Sequence, residues 1–492
     1  MEQGYAENTA EATKVGMLSK VEQRGLEPVP DDQRNGTPGQ LFWVWFAANI
    51  SILGIPLGAT LVSLGLNVWQ AILATAVGSF GSFALVGVIS VAGRNGGAPS
   101  LGLSRAMFGV RGNIAPSFVA ILSRWGWETV NTITGAFALL SLCAIIFHTP
   151  VGAKQVPLLV LVFILIFVGL TIAVAGVGYD FLAEVQKWAT WIFGALTLLV
   201  AGYLAATVDW SMVLSGKPGS LSAVLIGIGT IAAGTGIGWV NSGADMARYQ
   251  KREVKTSSLI WSAAAGAGIP LVIVISVGAI MTAGGSGLAS AADPVAAVRD
   301  ALPAWVSIPY LIVAFAGLVM CNSQSVYSAG FGILALGVRI PRANAVLVDV
   351  VVITAGALYF TLGFDGFYGP FITFISLLSV PLAAWTGIFL VDMIGRRTYD
   401  GESLIDLSPQ SRYWYKSGFN VAGCVSWLIA FVVGFLFVTA QVSAEEVWFS
   451  GPLADTFIGQ NGLAWLVTLL LSGALYTLMG GATAKNDGGS HE

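Results

Sequence analysis

The sequence predicts an all-α integral membrane protein with twelve transmembrane helices. Three observations lead there: the poverty of charge, the number and length of the apolar segments, and the one-sided placement of Lys and Arg. Of 492 residues, 55% are hydrophobic and only 10% charged, and the mean hydropathy is +0.79. Soluble domains carry about 25% charged residues, so a water-exposed surface for a chain of this length is excluded. The lipid bilayer is the first partner that composition implies.

A span needs about 20 mostly apolar residues. Twelve such segments are expected at about 42–64, 68–92, 114–147, 156–177, 186–207, 221–244, 257–283, 306–336, 345–363, 369–394, 417–440 and 462–481. They are numbered spans 1 to 12. With both tails on the cytoplasmic side, 19 of the 23 Lys and Arg lie inside, three (Lys154, Lys217, Arg299) lie outside, and Arg124 falls within span 3. This obeys the positive-inside rule and suits the plasma (inner) membrane. The expected organisation is a disordered cytoplasmic tail over 1–40 and a ten-helix core over 41–415. Its two five-helix halves run about 42–207 and 221–396. Two peripheral helices follow over 416–482, and a short cytoplasmic tail over 483–492. The polar first 40 residues contain no apolar stretch and no signal-peptide pattern.

Spans 1 and 6 are expected to be interrupted. Span 1 places Asn49, Ser51, Gly54, Pro56 and Gly58 within ten residues, and span 6 carries Gly227, Gly229, Gly234, Gly236, Gly238 and Gly243 before Asp245. Glycine and proline in corresponding spans of two five-helix halves mark discontinuous helices whose freed backbone groups line a cavity. The alternative for these glycines is close helix packing.

Trp127 and Asn131 lie four residues apart in span 3 and therefore share a helix face. An indole plane beside an amide inside a bilayer suits a planar, hydrogen-bonding ring. Polar groups at that depth are costly and mark pathways or sites. On this ground the candidate substrate contacts are Trp127 and Asn131, with Ser51 from span 1 and with Asn322 and Gln324 from the polar run of span 8. Glu128, adjacent to Trp127, points about 100° from the stacking face. It is a proton-relay candidate, but Arg124 four residues earlier is expected to pair with it on one face. Asp245, Gly54 and Pro56 complete the coupling and gating candidates, with Asp245 and Arg248 anchoring the cytoplasmic end of span 6.

Other chemistry is not supported. The three cysteines, Cys143, Cys321 and Cys424, sit in apolar segments without ligand spacing, and His148 and His491 cannot build a triad or a metal centre. The Gly-rich stretch 94–113 follows a span and has no Walker lysine, so it reads as a tight structural loop. No cofactor, metal, nucleic acid or obligate protein partner is expected.

These residues resemble the nucleobase:cation symporter family, purine–cytosine permease branch, over about 28–440. The resemblance rests on Trp45-Phe46-Ala47-Ala48-Asn49, on Gly65-Leu66-Asn67-Val68-Trp69-Gln70-Ala71-Ile72, and on Leu103-Ser104-Arg105-Ala106-Met107-Phe108-Gly109 with Gly112-Asn113. It also rests on Gly126-Trp127 with Asn131, Ala244-Asp245 with Arg248-Tyr249, and Asn322 with Tyr327-Ser328. It implies the leucine-transporter fold, ten core helices in two inverted five-helix repeats plus two peripheral helices, and a substrate site between spans 1, 3, 6 and 8. In that site Trp127 stacks on the ring and Asn131 bonds its polar edge. The resemblance places a second stacking aromatic nine residues before Asp245. Here that position is Gly236, and Trp239 is one turn away. Sodium-coupled members offer two hydroxyl residues before the Asn322 position. Met320 and Cys321 stand there in this chain. A hard cation prefers oxygen, so proton coupling is expected over sodium.

The leading expectation is therefore a permease importing a nucleobase such as cytosine or a purine by cation symport and alternating access. Another planar heterocycle (allantoin, a hydantoin or a vitamin ring) is the alternative substrate. An intramembrane hydrolase would need a nucleophile and base in one cavity. A channel would need repeated pore motifs or charge rings, and a receptor would need an output domain. None is present.

Overall fold

The computed structural model describes residues 22–286, 288, 294–363, 368–441 and 446–481. Among these residues, nine helices are long and apolar enough to cross a membrane, and a bent pair makes a tenth. Span 1 is that pair, Pro38–Asn49 and Gly54–Ser63, bent by 64° at the break. The others are span 2 (Val68–Gly96), span 3 (Ile114–Phe147), span 4 (Pro157–Ala175), span 5 (Tyr179–Thr207), span 6 (Leu221–Ala247), span 7 (Thr256–Ala283), span 8 (Ala304–Ala335), span 9 (Arg342–Gly363) and span 10 (Tyr368–Gly395).

Two further apolar helices, Val421–Phe435 and Ala464–Leu478, stand where spans 11 and 12 are expected, but each is only 15 residues. At 1.5 Å per residue each is about 22 Å long, short of the roughly 30 Å hydrocarbon core. Both flanks of span 11 are used elsewhere. Gly418 turns back so that its carbonyl accepts from the amides of Arg111 and Gly112, at 2.8 and 3.1 Å. Beyond Phe435 the chain forms an antiparallel hairpin, Thr439–Gln441 with Val447–Ser450.

Two helices pack chiefly on their counterparts five spans on. Span 2 packs most extensively on span 7, and span 3 on span 8. Spans 1, 2, 6 and 7 form one group and spans 3, 4, 8 and 9 another, with span 5 touching both spans 1 and 8. Span 10 packs on spans 11 and 12. The close crossing of spans 1 and 7 requires glycine on both sides. A Cβ at Gly58 would lie 2.0 Å from the Ile275 carbonyl oxygen, and one at Gly278 would lie 2.0 Å from that of Ile55. Gly58 therefore serves packing, while the break itself falls at residues 50–53.

Some sequence motifs acquire a local cause. Asn67 and Gln70 form a capping box at the start of span 2. The Gln70 side chain also exchanges two hydrogen bonds with the Gly219 backbone, at 3.0 and 2.7 Å, tying span 2 to the loop before span 6. In the 94–113 loop, Asn113 Nδ2 donates to the Leu101 carbonyl at 2.7 Å and Arg105 Nη1 to that of Leu404 at 2.6 Å. This is a scaffold, as expected of a structural loop.

Part of the tail expected to be disordered is ordered. Residues 1–21 and 482–492 lie outside the described residues, but 22–40 pack against the core. Val29 N donates to the Gly97 carbonyl at 2.9 Å, Gly36 N to that of Tyr249 at 2.8 Å, and Arg34 Nη1 to that of Arg94 at 2.6 Å. Apolar side chains explain the docking, since Leu26 and Val29 are buried.

Candidate functional site

Both interrupted helices face one cavity. It is lined by Ala48, Asn49, Ser51, Leu53, Gly54 and Leu57 of span 1, Gly234, Thr235 and Trp239 of span 6, Trp127 and Asn131 of span 3, Leu271 of span 7, and Cys321 and Ser325 of span 8. Its empty volume is about 670 Å³, open solvent at its mouth included. In span 6 the helix stops at Gly234, and Thr235 takes φ −127° and ψ −101° before a short helix, Gly236–Trp239, and a 3-10 turn, Val240–Ser242.

Trp127 and Asn131 do share a face, and both line the cavity. The indole lies against Gly238, where an added Cβ would meet Trp127 Nε1 at 3.1 Å. Asn131 Nδ2 donates to Asn322 Oδ1 at 3.3 Å and sits 3.7 Å from Cys321 Sγ. Its Oδ1 has no hydrogen-bond partner among the described residues although Asn131 is only 1% exposed. A buried amide oxygen left open at a cavity wall is an acceptor waiting for a donor. Ser51, Gly54 and Trp239 also stand at the wall.

Other expected contacts are corrected. Gly236 turns away from the cavity. Its amide donates to Ser82 Oγ at 3.2 Å, and an added Cβ would lie 2.3 Å from that oxygen, so Gly236 allows spans 2 and 6 to touch. Asn322 stands behind the wall, bonded to Asn131 and, through Nδ2, to Thr171 Oγ1 at 3.4 Å. Gln324 faces span 5, where Gln186 Nε2 donates to its Oε1 at 3.3 Å. The period of 3.6 residues explains the split: Cys321 and Ser325, four apart, share the inward face, while Asn322 and Gln324 flank it. Pro56 is buried in the second half of span 1, beyond the lining.

The Arg124–Glu128 ion pair does not form. Arg124 Nη2 instead donates to the Gly238 carbonyl and to Asn241 Oδ1, both at 2.6 Å. Its guanidinium lies 4.2 Å from the Trp239 ring centroid. The span 6 break exposes a carbonyl, a stronger claim on Arg124 than sequence spacing can reveal. Glu128, fully buried, faces Ser325 and an unanticipated residue, Asp349 of span 9. Trp125 Nε1 donates to Asp349 Oδ1 at 2.6 Å. The sequence does carry a signal for Asp349: a carboxylate inside an apolar span is itself a functional flag. The cavity positions Asn49, Thr235, Cys321 and Ser325 do not stand out in the sequence as contacts, since small polar residues carry little pattern of their own.

Asp245 takes no part in the cavity lining. Its Oδ1 accepts from Ser100 N at 2.7 Å, holding the end of span 6 to the loop after span 2. Arg248 reaches instead to the docked tail, where it pairs with the Glu22 carboxylate. Tyr249 and Tyr327 donate to the same carboxylate, at 2.8 and 3.2 Å, and Arg342 Nη1 donates to the Glu22 carbonyl at 3.2 Å. Burial works to raise the Glu22 carboxyl, but Arg248, Arg342 and the Tyr249 hydroxyl outweigh it and hold it below the usual carboxylate range. One residue of the tail thus ties spans 6, 8 and 9 together. Among the described residues no group of three or more His, Cys, Asp or Glu could hold a metal ion.

Comparison with known proteins gives relatives over most of the chain and a shared fold. The Bacillus subtilis protein YxlA, provisionally named a purine-cytosine permease, is 26% identical over 502 residues, covering 96% of this chain and 99% of its own. The purine-cytosine permease FCY2 of Saccharomyces cerevisiae is 26% identical over 306 residues, 60% of this chain and 54% of the yeast protein. Among solved structures, Mhp1, a nucleobase-cation-symport-1 family transporter in a closed conformation with bromovinylhydantoin bound, superposes with a TM-score of 0.70. It is 21% identical, and the match covers 92% of this chain and 94% of Mhp1, which establishes the shared fold. The family model described as "Permease for cytosine/purines, uracil, thiamine, allantoin" matches residues 28–467, and the chain belongs to that family of secondary active membrane transporters.

Proposed function

We propose that this chain imports a nucleobase, cytosine or a purine, across the plasma membrane by proton symport, with both tails cytoplasmic. The observation that carries the reading is the cavity at the two helix breaks, where the Trp127 indole and the open Asn131 amide oxygen stand side by side. A flat ring can stack on the first and donate an N–H to the second. The family description and the named relatives support the substrate class. Alternating access is supported by the packing, with spans 1 and 6 in one group and spans 3 and 8 in the other. Proton coupling is supported by Met320 and Cys321 of span 8, since neither sulfur suits a hard cation.

The test is uptake into proteoliposomes of labelled cytosine, adenine, guanine, hypoxanthine, uracil, allantoin and a hydantoin. Each is measured under an imposed pH gradient with sodium replaced by choline. Accumulation of a base that persists without sodium and collapses with a protonophore is the expected result. Accumulation of allantoin or the hydantoin alone would reassign the substrate. Strict sodium dependence would overturn proton coupling.

A further inference from the structure

We propose that Glu128 and Asp349 form a paired-carboxyl proton site, one hydroxyl away from the substrate cavity, and that this pair carries the coupling proton. The inference rests on the proton-symport reading above and assigns it a place.

Four observations converge. Glu128 on span 3 and Asp349 on span 9 are both fully buried, and their carboxyls lie within interaction range of each other. Among the described residues, both Glu128 oxygens and Asp349 Oδ2 lack a partner in strict hydrogen-bond geometry. No Lys or Arg of the described residues makes an ion pair with either group. Ser325, whose own Oγ is unpartnered and buried, faces Glu128 and also lines the cavity. Two carboxylates cannot both stay ionised side by side in an apolar interior, so such a pair holds at least one proton.

The charged and titratable groups around the pair are few. Arg124, on the helix of Glu128, acts on it from beyond ion-pair distance because its guanidinium is held by span 6. Cys321 faces Glu128 from span 8, and Trp125 Nε1 is bonded to Asp349 from span 3. With one proton shared, the pair carries a single negative charge offset by Arg124. Loading breaks an O–H bond of hydronium on one side of the membrane and forms one on the second carboxyl, leaving the pair neutral. Unloading returns that proton to water on the other side. Ser325 links the two events, since its unpartnered hydroxyl stands between Glu128 and the cavity and is open to either.

The experiment uses the full chain in proteoliposomes, with labelled cytosine as probe and adenine in parallel. One-to-one symport under an imposed gradient of about two pH units gives up to about 100-fold accumulation, a factor of ten per unit. Asp349→Asn and Glu128→Gln should abolish this accumulation yet still exchange internal for external base, because exchange needs no net proton movement. If either variant accumulates base as wild type does, the site assignment is overturned while proton coupling stands. If wild type itself accumulates base only with sodium, the coupling reading fails and the assignment with it. Loss of exchange together with accumulation, in protein that elutes as a folded particle, would show a role in binding or conformational change and would overturn the proposal. Should Asp349→Asn fail to fold, Asp349→Glu keeps a carboxyl and must accumulate base with a displaced pH optimum. An unchanged optimum there also overturns the site.

Discussion

Two buried arginines define two regions of this transporter, and they are satisfied in opposite ways. Arg248, at the end of span 6, meets a carboxylate, two tyrosine hydroxyls and the faces of Tyr249 and Phe331. Arg124, beside the cavity, meets a carbonyl, an amide oxygen and an indole face, and no carboxylate within ion-pair distance. The first arrangement is a charge-for-charge clasp between the docked tail and three spans. The second uses dipoles to hold a broken helix and leaves a positive charge near the site with no carboxylate in direct contact. The clasp is therefore titratable through Glu22, whereas the dipole seat is not. A clasp of the first kind suits a contact that must form and release. A seat of the second kind suits a wall that must keep its shape.

The comparison breaks or sharpens first at Glu22. Replacing one partner of a buried pair costs about 3–5 kcal/mol, so Glu22→Ala should raise amide exchange in residues 22–36 by two orders of magnitude or more, read by mass spectrometry. Exchange in span 3 should hardly change. The pH sign follows from the depressed Glu22 carboxyl. Its stabilising contribution is complete above the unfolded carboxylate value of about 4.3 and disappears as pH falls through the lower folded value. The wild-type tail should thus exchange at one pH-corrected rate across about pH 6 to 8 and loosen only in acid. Unchanged exchange in Glu22→Ala would erase the distinction between the two arginines.

Arg124 comes next. Hydrogen bonds to a charged group are worth about 1.5–3 kcal/mol each, and Arg124→Ala leaves the Gly238 carbonyl unmet. Base affinity should fall roughly 10- to 100-fold, and Arg124→Lys should restore little, because an ammonium cannot stack on Trp239 and reach two oxygens in a fork. Full rescue by lysine would show that the seat needs only charge, making it a clasp after all.

Trp127→Ala tests the wall itself. Stacking contributes about 1–3 kcal/mol per base, which predicts binding about 5- to 150-fold weaker by equilibrium titration. Near-normal affinity in folded protein would remove the indole from the site. The smallest effect belongs to Asn322, which touches Asn131 rather than the cavity. Asn322→Ala should weaken all bases alike by about 1 kcal/mol, whereas Asn131→Ala should change their ranking. A changed ranking in Asn322→Ala would place that amide back at the wall.

Much of this is legible in the amino-acid sequence. Trp127 and Asn131 stand out because helical spacing four apart is a local property. The breaks stand out because glycine, proline and polar residues cannot continue a lipid-facing helix without cause. What escapes is the choice among competing partners. Arg124 and Glu128 have good spacing for a pair, yet the carbonyl freed at Gly238, more than a hundred residues away, takes the guanidinium. Gly236 reads as a departure at the stacking position and proves to be a contact with Ser82. The docked stretch 22–40 reads as polar tail, and only Leu26 and Val29 hint at its burial.

The sequence by itself determined the membrane class, the two broken spans and the shared face of Trp127 and Asn131 on span 3. All of these follow from composition and short-range periodicity, which a chain carries without folding. Tertiary structure alone decided which glycines break and which pack, which amides reach the cavity, and that the Glu128 carboxyl meets Asp349 instead of Arg124. Each of those outcomes depends on which distant backbone group or side chain arrives at contact distance. In a low-dielectric interior the polar group that arrives takes the partner, whatever the spacing along the chain suggests.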